Sequence, residues 1–316
     1  MSGLWRRRTV RHLVICLVPL LLVGAVLVVV LAVRFGRIAG EVREATATAT
    51  ATIARSGLGP DRRDVELRWH DATGTERTSV IHIPEISNVR TGAAVNLRYV
   101  PGDPTRVYVG GDESSVRLRN LAYGIVVVAL TLLTAVVVTA VHVARRFVAE
   151  RRPGTTMAAT YARTRRGLVQ RGWLMLNDQG REWWVPVHWA PVLPALQAKT
   201  PCLVHGRPLH DRVLVVDVAG TQVWQSGRKR PVPPANALVA GRPRSAPAPQ
   251  RAAAEARPIG LARQVRVDSA LLVIAPLLGL LWSYVDGSGA GGFLAGTALI
   301  AAVLFWLPSV LGTDPA

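Results

Sequence analysis

Leu13 to Val33 runs for 21 residues without a charge, and Leu121 to Val141 does the same over an equal length. At about 1.5 Å of rise per residue, either run is long enough as a helix to cross a hydrocarbon core of roughly 30 Å. Leu, Ile and Val dominate the first run. At roughly −0.3 to −0.6 kcal/mol per central residue its insertion is favourable by several kcal/mol despite Pro19 and Gly24. Composition agrees, since half of the 316 residues are hydrophobic while only 6% are aromatic, a balance unusual for one soluble domain.

Ser269 to Val285 and Phe293 to Leu311 are two further uncharged runs about the connector Asp286-Gly-Ser-Gly-Ala-Gly-Gly, and they predict a helical hairpin. The third run is short for a span, so it is expected to draw on Val265 to Asp268 or on the glycines. The first run exceeds the ~7 to 15 apolar residues of a cleaved signal peptide. Val14 and Ile15 before Cys16 are not the small residues of a lipoprotein site, so the run reads as a retained signal anchor. The spans are placed at 13–33, 121–143, 267–285 and 293–311, after a basic cytoplasmic N-terminus at 1–12.

Charge orients them. Gly36 to Asn120 holds twelve Arg against eleven Asp or Glu, whereas Arg145 to Asp268 holds twenty-one Arg or Lys against seven acids, or +14 of the total +18. Arg6, Arg7, Arg8 and Arg11 precede the first span and Arg145, Arg146, Arg151 and Arg152 follow the second, which puts these flanks and both termini in the cytoplasm of a multi-pass cell-membrane protein. A basic segment is also the footprint of a nucleic-acid binder. Its clustering beside helix ends, continued by Arg163, Arg165 and Arg166, favours anionic lipid headgroups at the cytoplasmic face instead, at about 1 kcal/mol per residue near the surface. No nucleic-acid fold signature accompanies it, and nucleic acid is not expected as a partner.

Between the first two spans, 45–109 reads as a small antiparallel β-domain, a sandwich or barrel of about five strands. The Thr-Ala alternation from Ala45 favours a strand over a flexible stalk. Val65, Leu67 and Trp69 alternate with Glu66 and Arg68, the turn from His70 to Thr75 follows, and Ser79 to Ile83 returns as a hairpin. Val95, Leu97 and Tyr99 then share one strand face up to a Pro101-Gly-Asp-Pro104 turn, with Arg106 to Val109 as the last strand. His70, Asp71, Ser79 and His82 are the ingredients of a hydrolytic triad, but no nucleophile elbow surrounds the serine. The order of span, Thr-Ala strand, hairpin and Gly92-x-x-Val95-x-Leu97-x-Tyr99-x-Pro101-x-Asp103-Pro104 resembles a family of bacterial, actinobacterial-type, multi-pass membrane proteins. The family's shared extracytoplasmic β-domain is known only as a domain of unknown function. The resemblance implies a small β-domain outside the membrane and carries no catalytic residues.

After the second span, 165–228 reads as a second small β-domain, cytoplasmic and bounded by Asn-Asp-Gln-Gly, Pro and Gly turns. Trp173, Trp183, Trp184, Trp189 and Trp224 are expected in its core rather than on a ligand platform. Cys202, His205, His210 and Asp211, with His188, are spaced too loosely for a structural zinc site. Cys16 and Cys202 lie at different levels and are expected to be free. Pro231 to Pro258 opens the Pro, Ala and Arg-rich stretch 229–262, expected to be an extended linker. No ionisable residue stands at membrane depth, His142 being at the inner boundary, which argues against a monomeric transporter. Gly292-x-x-x-Gly296 is expected to pack against the third helix.

The expected fold is an α+β membrane protein with four transmembrane helices, one extracytoplasmic β-domain and one cytoplasmic β-domain. It points to a non-enzymatic envelope scaffold or signal-relaying protein, for which protein partners and a homo-oligomer are open. No catalytic, cofactor-binding or metal-ligating residue is assigned and no cofactor is expected. A membrane-bound hydrolase or its regulatory subunit, and an oligomeric channel or transporter accessory, are the competing classes.

Overall fold

A computed structural model describes residues 7–84, 90–167, 169–196, 198–218, 220–239, 260–286 and 288–315. It is mixed α and β, with four helices long and apolar enough to cross a membrane and two β-sheets. The first two helices are α1 (Arg8–Glu44) and α2 (Glu113–Glu150), of 37 and 38 residues. Both outrun their apolar stretches because the flanking Arg, Glu, Leu and Ala residues are good helix formers. Asp112 caps α2, its Oδ1 accepting the Ser115 amide at 2.8 Å. The third span begins earlier than expected. It consists of α3 (Leu261–Asp268), a 3-10 turn over Ser269–Ile274, and α4 (Ala275–Asp286). Pro276 has no amide to donate back into the preceding turn, which accounts for the change of winding just before it. The last helix, α5 (Gly289–Leu311), ends at Gly312 with φ 74°, a left-handed stop that needs no Cβ.

The chain divides into two compact units, Ala25–Thr131 and the combination of Met1–Gly24 with Leu132–Ala316. The first carries β1 (Ala47–Leu58), β2 (Asp64–His70), β3 (Glu76–His82), β4 (Ala94–Val100) and β5 (Asp103–Val109), all antiparallel in the order β3-β2-β1-β4-β5. Edge strands β3 and β5 come within 8 Å Cα to Cα, so the sheet curls into a partly open five-stranded Greek-key barrel of the OB type. The Thr-Ala segment is its central strand: Ala47 to Thr52 pair with β4 while Ala51 to Leu58 pair with β2. Register shifts after Ile53 and after Ser56 bend it between the two partners. Val65, Leu67, Trp69, Leu97 and Tyr99 fill the core, and the Trp69 and Tyr99 rings lie 4.5 Å apart.

The other unit carries β6 (Gly154–Arg166), β7 (Val169–Asp178), β8 (Arg181–Val187), β9 (Thr200–His205), β10 (Val215–Val218) and β11 (Thr221–Trp224). They are ordered β11-β10-β9-β6-β7-β8, and the chain beyond β11 closes the sheet. Gln225 bridges Val187, and the Trp184 and Arg230 backbones exchange hydrogen bonds at 2.7 and 2.9 Å. A closed six-stranded barrel results, filled by Tyr161, Leu174, Leu176, Val185, Val204 and Val216 among others. This corrects two boundaries. The domain begins at Gly154 rather than 165, because β6 is rich in Ala, Thr and Arg and lacks the bulky alternation of a strand. Residues 229–239 are not a free linker either, since Arg230 pairs with β8 and β12 (Leu238–Val239) pairs with β6; the rest of that linker to 259 lies outside the described residues.

In the same unit α1, α2 and α5 pack through Leu20, Ala135, Ala302 and Trp306, whose indole donates to Thr139 at 3.0 Å. α4 and α5 form the expected hairpin. Gly296 faces Trp282, and a Cβ on Gly279 would lie 2.9 Å from the Thr297 Cα.

Candidate functional site

Where the helices of this second unit meet its barrel, polar side chains are buried in three linked groups. In the first, α1 puts His12 and Cys16 on one face, a turn apart. Asp268, the last residue of α3, receives His12 Nε2 at 2.6 Å and the Thr313 hydroxyl. Gln264, a turn earlier, contacts His12 Nδ1 at 3.3 Å and accepts from Arg8 at 3.4 Å. With the Gln264 amide donating to Nδ1, the imidazole proton sits on Nε2 and is directed at Asp268. His12 and Asp268 are each 1% exposed.

The second group joins α2 to the barrel. His142 Nε2 and His188 Nε2 are 2.8 Å apart, so one ring donates and the other accepts. Arg146, a turn below His142, donates to its carbonyl and to the Gln225 carbonyl, each at 2.7 Å. Burial, reinforced by His142 and Arg146, holds His188 well below the ordinary imidazole range, and it stays neutral. Burial brings Arg146 down to about 9, with repulsion from Arg145 adding, so it remains charged at neutral pH.

In the third, the chain beyond Gly312 lies along the barrel. The Asp314 amide donates to the Gln170 carbonyl at 2.9 Å, and its fully buried carboxylate accepts the Tyr161 hydroxyl and forms an ion pair with Arg163, whose Nε lies at 3.1 Å. Burial, followed by the neighbouring Asp314 charge, pushes the Tyr161 hydroxyl far up its scale, so it is a permanent donor here.

Several arginines of the basic flanks also have protein partners. Arg7 pairs with Glu150 and stacks over Phe147 at 4.7 Å, while Arg8 lies over Trp189 at 4.4 Å. Arg146 is buried, Arg152 pairs with Asp211 at 2.9 Å, and Arg163 is held by Asp314. Cys16 is buried and free, and it borders the His12 and Asp268 pair. The donor atoms of His12, Cys16 and Asp268 all lie within 4.8 Å of one another and are buried. One nitrogen, one sulfur and one oxygen suit zinc chemically. A cation bound there would displace the proton shared by His12 and Asp268.

The residues singled out from sequence go elsewhere. In the five-stranded barrel, Asp71 is used by its own turn, accepting the Thr73 and Thr75 amides at 2.9 and 3.0 Å and Arg77 at 3.0 Å. His82 bonds to Asp64 at 2.7 Å, and Ser79 pairs with Leu67 across the hairpin, so no triad is assembled. Tyr99 accepts the Ala72 amide at 2.9 Å, and Asp103 accepts the Thr105 amide at 3.2 Å; both brace turns. The loose zinc set is dispersed, with Cys202 in the barrel core, His205 donating to the Arg152 carbonyl and His188 meeting His142. Both cysteines are free and buried. Trp173, Trp184, Trp189 and Trp224 are buried as expected, although Trp173 and Trp184 pack with Ala237, and Trp224 packs with Phe147 and Ala149 of α2, rather than inside the barrel.

Sequence reasoning did not find His12, Asp268, Thr313 or Asp314. Each stands within three residues of an end of an uncharged apolar run, where a polar residue reads as an interfacial flank. The available signal was Asp268 following Arg263 and Arg266, an acid where lipid electrostatics asks for a base. Comparison of the chain with protein-family models, with curated proteins and with solved structures gives no match.

Proposed function

We propose that the protein is a non-enzymatic, multi-pass membrane scaffold or signal relay, with the six-stranded barrel and both termini cytoplasmic and the five-stranded barrel outside. The observation that carries this reading is the shortness of three helix-to-strand junctions among the described residues. α1 passes into β1 through Ala45 and Thr46, β5 into α2 through Gly110 to Asp112, and α2 into β6 through Arg151 to Pro153. A tethered enzyme domain needs no such coupling, whereas a relay does. The lipid setting is supported by broad apolar surfaces on the helices, with Leu22, Val26, Val29, Leu277, Leu280 and Tyr284 all about 60% exposed or more. Orientation is supported by the +14 charge of Arg145 to Asp268. The motif from Gly92 to Pro104 supports placing the chain with the bacterial family it resembles.

The test uses single cysteines at exposed Glu76 and Arg181 in the full chain, where native Cys16 and Cys202 are buried and give no background. An impermeant thiol reagent on intact cells should label the first and spare the second, and crosslinkers at the same positions should capture protein partners. The reverse labelling pattern would overturn the orientation. Capture of nothing by either barrel would remove the scaffold reading.

A further inference from the structure

Beside the buried network, a cavity of about 1320 Å³ opens between α2 and the six-stranded barrel, inside one unit. Its two walls differ chemically. Val137, Val138 and Val141 of α2 are 48%, 37% and 40% exposed and form an apolar strip, joined from the barrel side by Leu209 at 51%. One helical turn beyond Val141 the lining becomes cationic, with Arg145, Arg212, Arg228 and Arg230 all exposed.

The other charges of the cavity are already committed. Arg146 is buried on backbone carbonyls, and Lys229 donates to the carbonyls of Pro208 and Asp211. Asp211, the one acid in the lining, is taken by Arg152 at 2.9 Å and by the Arg207 amide at 2.7 Å. No carboxylate among the described residues pairs with Arg145, Arg212, Arg228 or Arg230. Four exposed guanidinium groups thus line one cavity without a carboxylate partner, Arg230 also lying over the Trp173 ring at 5.6 Å, and an anion with several oxygens can meet such groups through bidentate contacts.

We propose that this cavity is a binding site for an anionic phospholipid, whose phosphate sits among Arg145, Arg212, Arg228 and Arg230 and whose acyl chain lies along Val137, Val138 and Val141. The apolar strip selects a lipid over a nucleic acid, which would have no use for it. The site rests on the proposed insertion of the helices in a bilayer.

Native mass spectrometry of the full-length protein in detergent, titrated with phosphatidylglycerol or phosphatidylcholine, tests it. Phosphatidylglycerol should bind in preference, and Arg212→Ser/Arg228→Ser should weaken it about 30-fold at roughly one surface-charge interaction per residue. Arg212→Lys/Arg228→Lys should retain most of the binding, and Arg181→Ser, outside the cavity, all of it. Equal binding of the two lipids, or an unaffected double Ser variant with the wild-type melting curve, would overturn the site. So would displacement of the lipid by inorganic phosphate, which indicates a free-anion site, or by duplex DNA, which indicates a nucleic-acid site. Carbonate extraction separates the two proposals: a chain released from membranes refutes the insertion reading, whereas a chain that stays integral without lipid preference refutes only the site.

Discussion

Replacing Asp314 by Ala tests whether the segment after α5 fastens the helices to the barrel. The carboxylate is fully buried, accepts the Tyr161 hydroxyl, itself 0% exposed, and is ion-paired with Arg163, whose side chain is 32% exposed. Removing one member of a buried ion pair costs about 3 to 5 kcal/mol. The partial exposure of Arg163 moves the figure to the lower end, about 3 kcal/mol, because water takes over part of its solvation. Tyr161→Phe removes a single hydrogen bond and should cost about 1 kcal/mol. The loss should be local, since the Asp314 amide and the Thr313 bridge to Arg171 peel away together. At a tenfold change per 1.4 kcal/mol, hydrogen exchange in Asp314→Ala should quicken about 100-fold at 313–315 and at the start of β7. Exchange in the five-stranded barrel should not change. Adding Arg163→Ala to Asp314→Ala should recover part of the loss, because no uncompensated charge is left behind. A change under about threefold, roughly 0.7 kcal/mol, would refute the claim that this carboxylate fastens the segment.

Three further outcomes follow from the same geometry. His188 is held neutral with its pKa below the ordinary 6.5, so the unfolded chain binds the extra proton; stability is complete above that value and falls as pH drops below it, and His188→Gln should flatten the dependence seen in thermal melts. In the five-stranded barrel, hydrogen bonds from Thr73 and Arg77 take Asp71 from 3.8 down to about 2, so the turn's protection is intact above 3.8 and is lost as pH falls toward 2. Amide exchange at Thr73 and Thr75, corrected for intrinsic rates, should show this in the wild type, and Asp71→Asn should abolish the pH dependence. Gly279→Val meets the Thr297 backbone and should lower stability by about 1 to 3 kcal/mol, while Gly36→Ala, with nothing within 4 Å, should be neutral or mildly stabilising in the same melt.

The helices and the five-stranded barrel were legible because their signals are local. A long uncharged run reports its partition into lipid, and alternation such as Val65, Leu67 and Trp69 reports one buried face. β6 escaped for a physical reason. A strand shared between two neighbours is served by small residues such as Ala158, Ala159 and Ala162, which erase the bulky alternation that marks an ordinary strand. β1 has the same character, and only its strict Thr-Ala repeat gave it away. The buried network was illegible because its pairings are long-range, His12 with Asp268 and Tyr161 with Asp314, and nothing near either residue announces the other. The protein partners of Arg7, Arg8 and Arg163 were hidden for a related reason, since Glu150, Trp189 and Asp314 lie far along the chain from them.

Those separations also set an order of assembly. His12 waits 256 residues for Asp268, and Tyr161 waits 153 for Asp314. At about 5 to 20 residues per second of synthesis, the barrel's strands through β11 exist roughly 4 to 18 s before the acid that Tyr161 and Arg163 require. During that interval the barrel carries a buried hydroxyl and a cation with no acceptor, a nascent state that a chaperone or protease can distinguish from the finished one. Seating of the segment after α5 thus completes the buried network, and a fold in which it is not seated leaves the Tyr161 hydroxyl without its Asp314 acceptor.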